Sequence, residues 1–405
     1  MKIVFVIDSW GEGNGGNVAA KRIVKELVAR GHTIRVVTTG SHKEEGVEFY
    51  QVPGFTLPFV REELEKMDFL LARGTTSILR EAFEGADLVQ VQYPFFIPRK
   101  AIRIAREMGI PVTGASHVQA RNIMGAMGKE SRILEGIITG LFNFSLYKQV
   151  DAIQSPSVFA AKMLVNEGNK KHIRVISNGI PPEYQPAKKQ RPDWFGNRFV
   201  LFNVGRHVKE KRQELLIDAV VRSKYRDNIQ LILAGKGIDT DKLRKRGKKL
   251  PVKPWIEYAS EEKKMLYLNT ADMYVHASVA ELESLTCLEA IGCGLPALIS
   301  DSTNSAASQF ALNDRFLFHA DDVDSLTKKI DYWYEHRENL QDVSKLTLAM
   351  ADYYRIERSA EAMEEFFTDA IEGRVTEPGI NVATGHEVGV TPIKPAKKRL
   401  FANAY

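Results

Sequence analysis

Lys2-Ile3-Val4-Phe5-Val6-Ile7-Asp8-Ser9-Trp10-Gly11-Glu12-Gly13-Asn14-Gly15-Gly16-Asn17 is the stretch on which the fold turns. Its apolar run is too short for a signal-peptide core and leads at once into an acid and a cluster of glycines. It reads as a first strand entering a loop, and residues 18–30 carry a helical pattern behind it. Gly11, Gly13 and Gly16 satisfy G-x-G-x-x-G in a strand–loop–helix context. A dinucleotide site would add an acid at the end of the second strand, for a ribose. That strand ends Val36-Val37-Thr38-Thr39-Gly40, without a carboxylate. What stays is a loop whose glycines let backbone approach a bound group, with N–H groups opening a helix toward an anion. Gly15 and Gly16 are best placed for that. The plain alternative is a tight turn with no ligand. Trp10 either stacks on a ligand or plugs the strand end.

The same alternation runs outward along the chain. Strands are expected at 2–8, 33–38, 88–92, 111–115, 151–154 and 173–176, then at 199–205, 229–234, 254–258, 272–276 and 296–300. Helical patterns such as 212–223 and 261–269 separate them. Short β-rich runs linked by helices specify parallel sheets covered on both faces. A seam over 181–197, holding Pro181, Pro182, Pro186 and Pro192, divides two similar halves. The fold expected is α/β, with two doubly wound parallel-sheet (Rossmann-like) domains facing across a cleft, an arrangement that resembles GT-B. Ligands belong at the carboxyl ends of strands from both sheets.

Composition agrees with two domains. The chain has 405 residues, 26% charged and 44% hydrophobic, too long for one ordinary core. Those fractions exclude global disorder and a fibrous repeat. Lys+Arg 56 against Asp+Glu 51 leaves +5, too weak a bias to argue for nucleic acid. Two cysteines, Cys287 and Cys293, exclude a disulfide scaffold or a cysteine-rich zinc site and read as buried thiols. No window approaches the roughly 20 apolar residues of a spanning helix. The nearest, 133–146, carries Glu135 and Asn143. A cytoplasmic protein is expected.

Two basic amphipathic features could meet an anionic membrane surface, making the protein peripheral on the inner face of the cell membrane. Arg99, Lys100, Arg103 and Arg106 alternate with Ile97, Ile102 and Ile104. Lys394, Lys397, Lys398 and Arg399 precede Leu400 and Phe401. The alternative for the first is a solvated helix face packed normally on a sheet. Residues 373–405 lack helical period and read as a loosely held, extended tail.

The second half holds the most informative segment, Ser278-Val279-Ala280-Glu281-Leu282-Glu283-Ser284-Leu285-Thr286-Cys287-Leu288-Glu289-Ala290-Ile291-Gly292-Cys293-Gly294-Leu295-Pro296. Glu281 follows a strand and belongs to the loop at its carboxyl end. Glu289 falls on a helix that begins near Ser284. Two acids then face one cleft, with free helical N–H groups between them. Asp239-Thr240-Asp241 matches the D-x-D metal pattern, but at the start of a basic helix Asp239 or Thr240 reads as an N-cap. No metal is expected.

Glu281-x7-Glu289, followed by Ala290 and Gly292 to Pro296, resembles the signature of the retaining glycosyltransferases of family four. Three further elements occur in the family's order. Val204-Gly205-Arg206-His207-Val208-Lys209-Glu210-Lys211 resembles its G-R-x4-K element. Ile176-Ser177-Asn178-Gly179-Ile180 resembles its segment before the domain linker. Val112-Thr113-Gly114-Ala115-Ser116-His117 resembles its strand end in the first domain. The resemblance covers about residues 1–370 and implies a hexosyltransferase using a nucleotide-sugar donor, most often UDP-linked. It implies an acceptor-side domain over 1–182, a nucleotide-sugar domain over 183–350 and a helix over 351–372 crossing back to the first domain.

The donor set so implied is Gly15, Gly16, Asn178, Gly205, Arg206, Lys211, Glu281, Ser284, Leu285, Thr286 and Glu289. Glu281 would contact the donor sugar, Glu289 the ribose, and His117 the sugar from the opposite domain. Arg206, Lys211 and the amides of Ser284 to Thr286 would stabilise a departing diphosphate, with neither metal nor cofactor. Each has a bland reading beside it. Arg206 could pair with Glu210, His117 could be a core histidine, and Glu283 reads as a solvated neighbour. His207 and His276 receive no role.

The apolar segment Val52-Pro53-Gly54-Phe55-Thr56-Leu57-Pro58-Phe59 and a helical patch over Phe69 to Leu71 are similar to loops of family members that glycosylate membrane lipids such as diacylglycerol. A lipid acceptor at an anionic membrane surface is therefore expected. The alternatives are a soluble sugar or sugar phosphate as acceptor, or a sugar-nucleotide epimerase of the same fold.

Overall fold

Ile3, Val4, Phe5 and Val6 of β1 (Lys2–Val6) are wholly buried, so this strand has no solvent face and needs no polar alternation. It lies inside the first of two parallel sheets in this computed structural model, which describes residues 1–11, 13–57, 61, 69–120, 124 and 131–382. The first half of the chain adds β2 (Thr33–Thr39), β3 (Val47–Val52), β4 (Gly54–Phe55), β5 (Leu71–Ala72), β6 (Leu88–Val91), β7 (Val112–Ala115), β8 (Ala152–Ser155) and β9 (His172–Val175). The second half adds β10 (Phe199–Val204), β11 (Ile229–Ala234), β12 (Trp255–Glu257), β13 (Met273–His276), β14 (Ala297–Ser300), β15 (Leu317–Phe318) and β16 (Gly379–Val382).

The first sheet runs β16-β9-β8-β7-β6-β1-β2-β3 and the second β12-β11-β10-β13-β14-β15, every pair parallel. β4 and β5 form a separate antiparallel pair. In each large sheet the chain reverses its direction of travel once, between β1 and β6 and between β10 and β13. Crevices open at the carboxyl ends of strands where this happens. The loops after β1, β6, β10 and β13 are therefore where a ligand site belongs.

Helices cover the sheets. Ala20, Val24 and Leu27 of the Gly15–Ala29 helix pack on Ile3 and Phe5. The Ile356–Ile371 helix joins the same core, with the Phe367 ring edge-on to Phe5 at 6.3 Å. Phe366 and Phe367 are fully buried, each contributing about 2–3 kcal/mol to holding that helix on the first sheet.

The structure departs from the sequence reading in three places. The helical pattern over 340–371 is two helices, Leu340–Ala351 and Ile356–Ile371. Between them the backbone is engaged elsewhere: Ile180 N–H donates to the Tyr354 carbonyl and Ile356 N–H to the Ile180 carbonyl. Within the tail expected to be loose, Gly379–Val382 pairs with β9 as an eighth strand. The patch Phe69 to Leu71 is not helical; Leu71 belongs to β5, and Phe69 and Leu71 are buried. The basic Pro98–Glu107 helix packs its apolar side on the sheet, as the second of its two readings expects. Ile102 and Ile104 lie in the first core. Lys100 donates to the Gly74 carbonyl, Arg106 to the Gln149 carbonyl, and Arg103 stands 3.7 Å from Glu107. The second basic feature, at 394–401, and residues 58–59 lie outside the described residues. Among the described residues no helix is long and apolar enough to cross a membrane.

Candidate active site

Lys211 and Glu281 are 70 positions apart, yet Lys211 Nζ stands 2.5 Å from Glu281 Oε1. Topology brings them together. Lys211 ends the short turn that follows β10, and Glu281 sits in the loop that follows β13. Those strands are neighbours at the reversal point of the second sheet. Val279 N–H donates to the Glu210 carbonyl at 3.0 Å and ties the two loops. The first loop is fixed from beneath by glycine. A Cβ at Gly235 would stand 1.9 Å from the Gly205 carbonyl oxygen, so only glycine lets the loops after β10 and β11 meet.

Burial would raise the Glu281 carboxyl, but Lys211 and His276 outweigh it and hold it well below the usual carboxylate range. His276 Nε2 lies 3.4 Å from Glu281 Oε1. Burial opposes a charged imidazole there, while Cys287 and Glu281 push it up to about 9. The result is an ionised acid between two cations, able to accept from hydroxyl donors.

Beyond Glu281 the chain turns sharply into the Leu285–Gly292 helix. Ser284 has φ 118° and caps it, Oγ accepting from Cys287 N–H. A serine in this left-handed region is strained, and such strain persists only where surroundings impose it. They do so here. Ser157 Oγ donates to the Leu282 carbonyl at 2.5 Å, and Asn178 N–H donates to Glu283 Oε2 at 2.9 Å, both from the first domain. Glu283 is 3% exposed, which corrects its reading as solvated. Its burial pushes the carboxyl up to about 7, against the hydrogen bonds of Ser177 and Asn178. The Thr286 hydroxyl accepts from Tyr274 at 2.9 Å.

The opposite wall is the glycine loop. Asn14 caps the Gly15–Ala29 helix by accepting from Gly16 N–H at 2.7 Å. A Cβ at Gly16 would meet Tyr93 Oη at 2.4 Å and His117 Cβ at 3.1 Å. A Cβ at Gly15 would instead stand 3.9 Å from Leu285 Cδ1, across the cleft. His117 is half-buried, and burial pushes its imidazole down to about 4, so it works as a neutral group. His117 and Asn178 line one small cavity with Ala20, Gln92, Gln154 and Met363. Trp10 is a plug: it is buried, donates to Glu44 at 2.6 Å and packs edge-on to Phe49.

Glu289 is 4% exposed and bridges the domains. Arg22, on the glycine-loop helix, donates to Oε1, and Lys264 Nζ lies 3.1 Å from Oε2. Both cations also lie over the Tyr184 ring, at 5.2 and 5.0 Å.

The structure thus brings Lys211, Glu281, Ser284, Leu285, Thr286 and Glu289 to one side of a cleft, with Gly15, Gly16, His117 and Asn178 opposite. Gly205 lies in the loop leading to Lys211, where its N–H donates to the Ala234 carbonyl. Arg206 stands on that same loop but is half-exposed and pairs with Glu210 at 3.2 Å. Among the described residues no group of three or more His, Cys, Asp or Glu could hold a metal ion. Asp239 occupies the N-cap position without a side-chain cap bond; the Thr240 hydroxyl accepts from Gly237 N–H instead. Arg22 and Lys264 escaped the sequence reading, and His276 was given no role in it. For His276 the signal was its place as the last residue of a strand five positions before Glu281. Arg22 and Lys264 carried no such signal, because their importance comes from a partner 267 and 25 positions away.

Comparison with known proteins agrees with the two-domain fold. The Glycosyltransferase Family 4 model matches residues 13–184 and the Glycosyl transferases group 1 model residues 185–347. The alpha-monoglucosyldiacylglycerol synthase of Streptococcus pneumoniae (strain ATCC BAA-255 / R6) is 25% identical, over 74% of this chain and 70% of its own. A protein of the same description from Acholeplasma laidlawii is 23% identical, over 85% and 91%. Among solved structures, Anabaena Alr3699/HepE in complex with UDP superposes with a TM-score of 0.69 at 16% identity, over 91% of this chain and 100% of its own. Its likeness establishes the shared GT-B fold. The chain is a glycosyltransferase, built from a family-four domain followed by a group-1 domain.

Proposed function

We propose that this enzyme moves a hexose, glucose in the first instance, from a UDP-sugar to a hydroxyl of a membrane lipid of the diacylglycerol type. The anomeric configuration is retained and no metal is bound. The observation that carries the reading is the Lys211–Glu281 contact at the reversal point of the second sheet, beside the amino end of the Leu285–Gly292 helix.

In such a transfer the bond from the anomeric carbon to the diphosphate breaks. Positive charge grows on the sugar and negative charge on the leaving phosphates. Lys211, Arg206 and the amides at Ser284 to Thr286 supply preorganised positive potential for the leaving group. Glu281 holds sugar hydroxyls near the anomeric centre, Glu289 the ribose, and His117 meets the sugar from the other wall. Arg206 leaves Glu210 for the phosphates, a small change for an exposed pair. A lipid acceptor is supported by the description of both relatives as alpha-monoglucosyldiacylglycerol synthases. UDP is supported by the same-fold Alr3699/HepE complex. The enzyme works in the cytoplasm, peripheral on the inner face of the cell membrane.

Thermal shift against UDP, GDP and ADP, followed by transfer assays with dispersed diacylglycerol and with free sugars, tests this. UDP alone should raise Tm and the product should be a glycolipid. Stabilisation by no nucleotide, transfer only to soluble acceptors, or conversion of the donor sugar without an acceptor would contradict it.

A further inference from the structure

Ile133, Ile137, Leu141 and Phe144 recur along one face of the Arg132–Phe142 helix and its continuation, and all four are exposed, at 79, 55, 57 and 52%. Gly136 and Gly140 lie between them with nothing within 4 Å of a Cβ. Positions 133, 136, 137, 140, 141 and 144 of this face therefore carry no charge, and the four large apolar side chains among them stand more than half in water. Burying such a face elsewhere is favourable, and a water-exposed helix has no use for it.

The surface continues beyond the helix. Ser145 Oγ donates to the Pro94 carbonyl at 2.6 Å and stitches the end of the helix to the segment carrying Phe96, which is also exposed. Phe96 stacks edge-on with Phe55 at 5.1 Å. Arginines frame the patch. Arg99 lies over the Phe144 ring at 4.1 Å, Arg73 over Phe55 at 5.3 Å, and Arg103 projects from the same helix as Arg99. Of the described acids nearby, Glu107 pairs with Arg80 and faces Arg103, Glu135 is half-buried, and Glu167 lies on the inner side of the helix with Thr139 and Phe142.

We infer that this face is the bilayer-docking surface of the enzyme, with Ile133, Ile137, Leu141 and Phe144 entering the acyl boundary and Arg99 and Arg103 meeting anionic phosphates. Apolar residues flanked by arginine are what an anionic interface accepts. A second copy is disfavoured, because a symmetric interface would bring the Arg99 groups of two chains to the same patch. The inference rests on the lipid-acceptor reading and adds a geometry to it. The inner side of the same helix, at Thr139 and Phe142, lines a cavity with Val118 and Leu282, neighbours of His117 and Glu281. One helix, about 10 Å thick, thus stands between the membrane and the reacting cleft. A lipid with its hydroxyl at the interface needs to rise only that far.

Co-sedimentation of the full chain with vesicles of phosphatidylcholine, alone or mixed with phosphatidylglycerol, tests the surface. Wild type should bind the mixed vesicles. The double variant Ile137→Glu, Leu141→Glu should lose at least about tenfold in binding while keeping its Tm. Its transfer to an acceptor dispersed in detergent should stay within about twofold, since neither side chain faces the cleft. Leu141→Trp should show a blue shift of tryptophan emission on mixed vesicles. Unchanged sedimentation of the double variant, or a dimer in light scattering that the double variant dissolves, would overturn the inference. A wild type that binds vesicles through this face but moves sugar to no lipid would uphold the surface and sink the acceptor reading.

Discussion

Glu283 shows how far a single side chain departs from its appearance in sequence. Its neighbours Glu281 and Glu289 both find cations, whereas Glu283 is buried against the backbone of Asn178 with one carboxyl oxygen unpartnered. Burial raises it from the ordinary value of 4.5 to about 7. The folded protein therefore prefers the protonated form. Its contribution to stability is complete below about pH 4.5 and is lost as pH rises through about 7. Glu283→Gln, which cannot ionise, should then be more stable than wild type at pH 8, by about 1–3 kcal/mol, and nearly equal to it at pH 4.5. Urea titrations at both pH values measure this. A variant equally destabilised at both would mean that Glu283 is ionised and needed as such.

At the residue scale the sequence exposed the acids and concealed their setting. Glu281 and Glu289 stand out because their spacing matches a strand–loop–helix unit. That Glu283 would be buried could not be seen, because the groups that bond it, Ser177 and Asn178, come from the first domain. The Arg206–Glu210 pair was visible, since four positions separate its partners.

Among the elements, the strand–glycine loop–helix unit at the amino end separates two kinds of glycine. Gly16 is hemmed in by Tyr93, whose hydroxyl is itself fixed 2.7 Å from Asn17 Oδ1. Gly16→Ala should cost about 1–3 kcal/mol of stability through overpacking. Gly15 has room for a methyl group. Gly15→Ala should fold normally, since alanine favours helix, yet weaken nucleotide affinity because it narrows the cleft opposite Leu285. Differential scanning fluorimetry and nucleotide titration separate the two effects. Unchanged nucleotide affinity in Gly15→Ala would remove Gly15 from the site.

The expected strands over 2–300 are all present, within one or two residues at each end. They were legible because strands buried on both faces are continuous apolar runs. β3 and β16 were not: β3 mixes Glu48 and Gln51 with its apolar residues at a sheet edge, and β16 owes its pairing to β9, more than 200 positions away. The basic helix was legible only in part. Periodicity puts Ile97, Ala101, Ile104 and Ala105 on one apolar side, but only packing shows that this side is filled by the sheet.

Over the whole molecule, two sheets with their reversal points face to face make one cleft. Besides the hydrogen bonds of Ser157 and Asn178, an ion pair holds it: Arg22 on one wall and Glu289 on the other. Arg22→Ala would leave Glu289 buried beside Lys264 alone. It should cost about 2–4 kcal/mol and lower kcat/KM at least about tenfold, because both walls must meet the donor. Small-angle scattering should show a larger radius of gyration. No change in either would mean that the domains are held by other contacts.

Transfer itself is the most direct test. With UDP-glucose and dispersed diacylglycerol, Glu281→Gln should bind UDP within a few-fold of wild type yet lose at least about a hundredfold in transfer, because the charge that steadies the sugar is gone. Wild-type rates in Glu281→Gln would contradict the account, since the carboxylate beside Lys211 would then have no part in the reaction.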